Sequence, residues 1–255
     1  MNNVIRAELY KLYKNPAFWV LAAGVGALSI FMHILILTGW WHMTGTPFDL
    51  AGLDGLNGLS PFIVPLFFNL FVSTLAAYTI AAEFSRNGVI KNQVMSGNKR
   101  MHIFLAKFIV LSLGAVIIVI VIPLVTGLIS AGFSSGGNLF TESGLIYLSR
   151  AYGLYFLHFL CFTATVLLIA VITGEIGKTI LFTLILSAVM FAFEKLVTVS
   201  RIRFLYEHTY FFQLDVAFNQ FLSAGDLLKS IFIGILSLLL LLYCGITVFQ
   251  RKEIQ

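Results

Sequence analysis

The hexapeptide GEIGKT (174–179) holds the glycine, lysine and threonine that a phosphate-cradling loop uses to grip a nucleotide. Such a loop needs four residues between its first glycine and the Gly-Lys-Thr. Counted back from Gly177, that first position is Ile172, and Gly174 leaves only two residues between. The stretch reads as a tight turn with Lys178 as its anchor. The histidines (His33, His42, His102, His158, His208) are scattered, and none pairs with a carboxylate at helical spacing. His158 sits inside an apolar run, where an ionisable group invites a relay hypothesis. A hydrogen-bonded histidine inside a helix bundle is the simpler reading. Glu83, Glu175 and Glu194 stand at the ends of apolar runs and none is deep within one, which weighs against proton- or sodium-coupled transport. Cys161 and Cys244 lack a CxxC spacing, so buried free thiols are expected rather than a metal site or a disulfide. Neither Ser–His–Asp nor HExxH occurs. No catalytic site, metal site or cofactor site is expected on this chain.

The polar residues concentrate in two other places. The stretch EFSRNGVIKNQVMSGNKR (83–100) sets Arg86, Lys91, Lys99 and Arg100 around one acid, Glu83. Within it Val89, Ile90 and Val94 offer a small apolar surface, and Gly88 and Gly97 suit turns or helix caps. The N-terminal stretch NNVIRAELYKLYKNPAF places Ile5, Leu9 and Leu12 at i, i+4 and i+7, one face of a helix. Arg6, Glu8, Lys11 and Lys14 then point elsewhere. This spacing predicts an interfacial helix over 2–15, its bases near anionic lipid, with Asn15-Pro16 turning the chain onward.

The elements that must carry these residues are membrane helices. Of 255 residues 59% are hydrophobic, including 25 Phe, well above the roughly 45–50% of soluble domains. Six runs are long enough to cross a bilayer: about 17–40, 60–82, 103–130, 152–173, 179–195 and 227–249. In hydrocarbon every backbone polar group must pair within its own segment, so the spans are helices and the fold is all-α. Pro65 and Pro123 should kink spans two and three. The net charge of +5 reflects bases placed for topology rather than for nucleic acid. Most of them fall in segments that share one side when both termini are cytoplasmic. The first run is too long for a cleavable signal and should remain as a span. One transmembrane domain over 1–255 is expected.

Two further groups bear on function. Span two carries small and polar residues, Asn69, Ser73 and Ala77, which suit a path wall or a subunit seam, or equally the ordinary packing of a bundle. The segment 195–226 is rich in aromatics for an outer loop. It reads as short amphipathic helices at, or dipping into, the outer interface, with Tyr206, Tyr210, Phe211 and Phe212 as an outer gate. Ser223 and Asp226 have the spacing of a helix N-cap before span six.

The order of these features resembles the six-span permeases of ABC-2 type exporters. The resemblance rests on ELYKL (8–12), on Glu83 and Gly88 in E-x4-G, and on Lys99-Arg100 with Lys107 in SGNKRMHIFLAKF, and it covers essentially the whole chain. It is similar to the small peptide and lantibiotic exporters of Gram-positive bacteria, although Gly97-Asn98-Lys99-Arg100 departs from the Pro-Val-Ser-Arg-like turn of many relatives. The resemblance implies a plasma-membrane permease subunit and a coupling loop over 83–102. That loop would seat in a separate ATPase dimer holding ATP and Mg²⁺, and a second permease, identical or different, would complete the unit. An amphipathic peptide cargo then fits the aromatic walls. The rival from another class is a membrane-embedded peptide sensor or scaffold that signals to a cytoplasmic partner.

Overall fold

A computed structural model describes residues 1–85, 89–133, 141–196 and 200–252, and among these every regular element is helical. Arg86 and Gly88 lie outside the described residues. Six helices are long and apolar enough to cross a membrane: Pro16–Leu37, Pro65–Phe84, Arg100–Phe133, Glu142–Thr173, Ile176–Glu194 and Ala224–Arg251, numbered here as spans one to six. Five of them fall within about five residues of their expected runs, span four begins ten residues earlier than expected, at Glu142, and span five gains length by recruiting Ile176–Lys178 at its start.

Local chemistry sets the boundaries. Asn15 is extended, and its side chain accepts from the Ala17 N–H, so the N-terminal helix Asn2–Lys14 ends and span one begins at Pro16. Ser223 accepts from the Asp226 N–H at 3.1 Å and caps span six. Gly174 takes a left-handed conformation (φ 63°) and closes span four, where a side chain would be strained. The GEIGKT stretch is thus a turn between two helices, with Lys178 pairing with Glu175 at 2.8 Å on the surface.

Proline behaves differently at its two expected kinks. Pro65 does not bend span two but opens it: Ser60–Ile63 forms a separate turn, Val64 is extended, and Pro65 stands at the first helical position, where its missing N–H costs nothing. Pro123 does lie inside span three, directly after a π-helical turn at Ile117–Val121. That wider turn falls where the proline withholds a hydrogen bond. A second π-helical turn occupies Ala77–Ala81 of span two.

Span four is the axis of the bundle and packs along span six. Glycine allows their close approach, since a Cβ on Gly234 would stand 2.6 Å from Leu157 Cδ2; Gly245 does the same for spans six and three, where a Cβ would stand 2.3 Å from Phe104 Cζ. His158 shares a 2.9 Å hydrogen bond with Ser230 across the same seam, so it is a packed bundle histidine. Spans one, five and six keep long apolar faces exposed, as helices surrounded by lipid require.

Candidate functional site

Glu8, Lys11, Glu83 and Lys107 meet at one end of the bundle. Lys11 Nζ lies 2.7 Å from Glu8 Oε1 and 2.8 Å from Glu83 Oε1. Lys107 Nζ lies 3.1 Å from Glu8 Oε2 and also pairs with Glu83. Two carboxylates and two ammoniums alternate, and the sum of charge is zero. The Lys107 side chain is fully buried, and Glu8 is only 4% exposed. Burial by itself would raise the Glu8 carboxyl, but the Lys107 and Lys11 charges, with hydrogen bonds from Lys11 and Gln93, outweigh it and hold the group below its ordinary value. Burial likewise opposes the charge on Lys11, yet Glu83 and Glu8 hold it above its ordinary value. The quartet ties three elements together: the N-terminal helix, the end of span two and the start of span three.

The face of the N-terminal helix differs from the expected one. Val4, Glu8 and Leu12 are buried, whereas Ile5 is half-buried and Leu9 is exposed. Glu8 therefore points inward, because two lysines neutralise it there. Leu12 completes the contact where span three has a glycine: a Cβ on Gly114 would lie 3.2 Å from Leu12 Cδ2.

A short helix, Val89–Met95, follows span two and is bound into the same cluster. Gln93 Nε2 donates to Glu8 Oε1 at 2.6 Å. Gly97 (φ 81°) ends the helix, as expected of a cap, and its N–H donates to the Val94 carbonyl. Two of the three apolar residues expected to face a partner turn inward instead, and Val89 borders the open cleft beside the quartet. Ile90 is buried, and Val94 packs against the core. The exposed face is Lys91, Asn92, Met95 and Lys99. Arg100 is likewise turned inward, donating from Nη1 to the carbonyls of Gln250 (2.6 Å) and Lys252 (3.0 Å) at the end of span six. Lys252 in turn donates to the Val171 and Ile172 carbonyls and stands 4.4 Å over the Phe84 ring, so a cation satisfies the negative end of span four. These contacts form a second clasp beside the quartet.

The family model for ABC-2 family transporter proteins matches residues 4–194, from the N-terminal helix through span five. The chain belongs to this family. No curated protein matches it. The permease is a multi-pass membrane component of an ABC transporter. The quartet lies wholly inside the matched stretch.

From the opposite end toward its middle the permease is built from rings. Helices Ser200–Glu207 and Tyr210–Val216 form a hairpin packed on span four. The Tyr210 hydroxyl shares a 2.7 Å hydrogen bond with Thr165, eight residues and roughly 12 Å before the end of span four at Thr173. The hairpin therefore reaches down into the bundle. Phe211 meets Phe162 edge-on at 5.9 Å, and of the residues expected at an outer gate Tyr206 meets Phe212 at 5.7 Å and Tyr210 stacks on Phe211 at 4.7 Å. Tyr206 and Phe211 line a cavity of about 230 Å³ with Ser187, Met190 and Ser60. Phe218 then packs against Phe48, Tyr152 and Tyr155.

Asn69, Ser73 and Ala77 are fully buried within one chain. Asn69 Nδ2 donates to the Thr183 carbonyl (2.7 Å) and to Ser187 Oγ (2.8 Å), fastening span two to span five. They serve the packing of this bundle rather than an outward-facing seam. Among the described residues, no group of His, Cys, Asp or Glu is placed to hold a metal ion.

Sequence reasoning named three members of the quartet but assigned them to two separate sites. Lys107 appeared only as part of a motif, and Gln93 and Lys252 were missed. A lysine seven residues into a long apolar helix was the available signal, since such a charge requires a buried partner.

Proposed function

We propose that the permease is the membrane subunit of an ATP-driven exporter of amphipathic cargo, membrane-active peptides being the class that best suits its aromatic walls. The quartet end faces the cytoplasm of a bacterial plasma membrane, as the distribution of basic residues favours. A separate ATPase dimer holding ATP and Mg²⁺ docks on the exposed face of the Val89–Met95 helix and on the N-terminal helix. A second permease, identical or different, completes the assembly.

One observation carries this reading. The short helix is joined through Gln93 to Glu8, and through Glu8 to Lys107 in span three. A force on the helix is therefore delivered to a span through charged hydrogen bonds rather than through a slack loop. The partner can move the permease only as far as it binds one state better than the other. Aromatic packing at the hairpin can rearrange among edge-on contacts, which suits an outer gate that opens for cargo.

The test uses Lys91→Glu with Lys99→Glu. Both side chains are exposed and neither makes a structural contact of the kind Arg100 makes, so the bundle should remain folded. The wild-type permease, pulled from its native membrane, should bring a P-loop ATPase whose hydrolysis responds to cargo, and the double variant should lose that partner at least tenfold. If the variant retains both partner and export, the docking face is elsewhere. If the wild type brings no nucleotide-hydrolysing partner, ATP-driven export is wrong.

A further inference from the structure

A cleft of about 800 Å³ opens beside the quartet, between the N-terminal helix, the start of span one and the end of span two. We propose that it seats one anionic phospholipid from the adjoining leaflet. This inference rests on the membrane setting of the chain and not on the export reading.

The walls are sorted by polarity along the direction a lipid would take. Lys14, Tyr10 and Tyr78 stand at the level where the N-terminal helix gives way to span one at Asn15-Pro16. Val20 and Leu21 of span one line the part further into the bundle, while Ile80 and Val110 line the side toward the quartet. Within span one, Pro16 to Leu21 is five residues, a helical rise of roughly 7.5 Å, enough for a glycerol backbone and the first part of an acyl chain. Val20 is 70% exposed, so the cleft communicates sideways with surrounding lipid.

Charge selects the headgroup. The quartet at the floor is neutral in sum and internally paired. The remaining charged residue of the lining is Lys14, which makes no ion pair among the described residues. Its Nζ is held 5.8 Å from the centre of the Tyr10 ring and 5.4 Å from that of Tyr13. A cation fixed by two rings at a membrane interface, above an apolar wall, is complementary to a phosphate on an acyl-bearing molecule. A cationic peptide would meet like charge there. The lipid would brace the N-terminal helix against span two from outside, while Lys11 braces it from inside.

The test is native mass spectrometry of the full chain released from nanodiscs of phosphatidylcholine mixed equally with phosphatidylglycerol. One phosphatidylglycerol should be retained per chain, preferred by about fivefold, which is what one lysine near an anionic surface supplies. Lys14→Gln should abolish the preference and Lys14→Arg should keep it. Leu21→Trp should expel the lipid by filling the apolar wall. Lys178→Gln, an exposed base at the same end, should change nothing. The proposal is overturned if the preference survives Lys14→Gln, or if Lys178→Gln lowers it equally. Displacement by soluble glycerol phosphate at equal concentration would also overturn it, since the site would then read a free phosphate and not a lipid. None of these readouts involves nucleotide hydrolysis, so failure here is separate from failure of the export reading.

Discussion

The two ends of the bundle are fastened by opposite means. At one end four charges, Lys107 and Glu8 among them buried, share each other's hydrogen bonds, and toward the other aromatic rings meet edge-on around a hairpin. An ionic cluster tolerates little displacement, because any carboxylate that leaves strands a buried ammonium. Edge-on ring contacts of about 0.5–1.5 kcal/mol each can be exchanged one at a time. The contrast suits an element that must receive a push without yielding, opposite one that must yield without unfolding.

The strongest way to break the comparison is Lys107→Met. Two carboxylates would then face one ammonium, with Glu8 almost wholly buried, a loss of about 3–5 kcal/mol. Thermal unfolding in a mild detergent should show it, and adding Glu83→Gln should recover at least half by restoring neutrality. If the double variant is as unstable as the sum of its parts, the quartet is not a unit. Tyr210→Phe sharpens the other side. It removes one hydrogen bond to Thr165, worth about 1 kcal/mol, and no second substitution at the charged end should rescue it. A rescue would mean that the two ends are energetically joined.

The smallest expected effect is with pH. The Glu8 carboxyl is held below its ordinary 4.5, so its contribution is complete above that value and is lost as pH falls through the lowered one. The Lys11 ammonium is held above its ordinary 10.5, so its contribution is complete below that value and is lost as pH rises through the raised one. Between about 5 and 10 the docking of the N-terminal helix should be flat. A labelled cysteine at position 9, exposed on that helix, would report it by accessibility, and a midpoint near neutrality would contradict the pairing.

How much of this was legible in the sequence follows from the range of each interaction. The six spans were, since hydropathy and helical length are properties of contiguous residues. So were the turn at Gly174, the turn at Asn15-Pro16 and the cap at Ser223, each set by one or two neighbours. The inward face of the N-terminal helix was not. Periodicity ranks Leu9 above Glu8 for burial, and only Lys107, far along the chain, reverses that order. Ile90 and Arg100 were misread for a related reason. Each looked available to a partner until span six and the core occupied it. Pro65 shows the same limit on a shorter scale, because an apolar run of adequate length does not reveal that its helix begins five residues late.

The clasp formed by Arg100 and Lys252 has a consequence for biosynthesis. The quartet needs nothing beyond Lys107 and can close while the ribosome is still translating span four. The clasp must wait until residue 252 has been made, and until then the final carbonyls of span four lack the cation that satisfies them. The nascent permease therefore passes through a stage with its N-terminal half locked and the end of span four open. A membrane insertase or chaperone would have to shield that end, and a truncation just before residue 250 should be cleared by quality-control proteases even though nearly all of its six spans is in place.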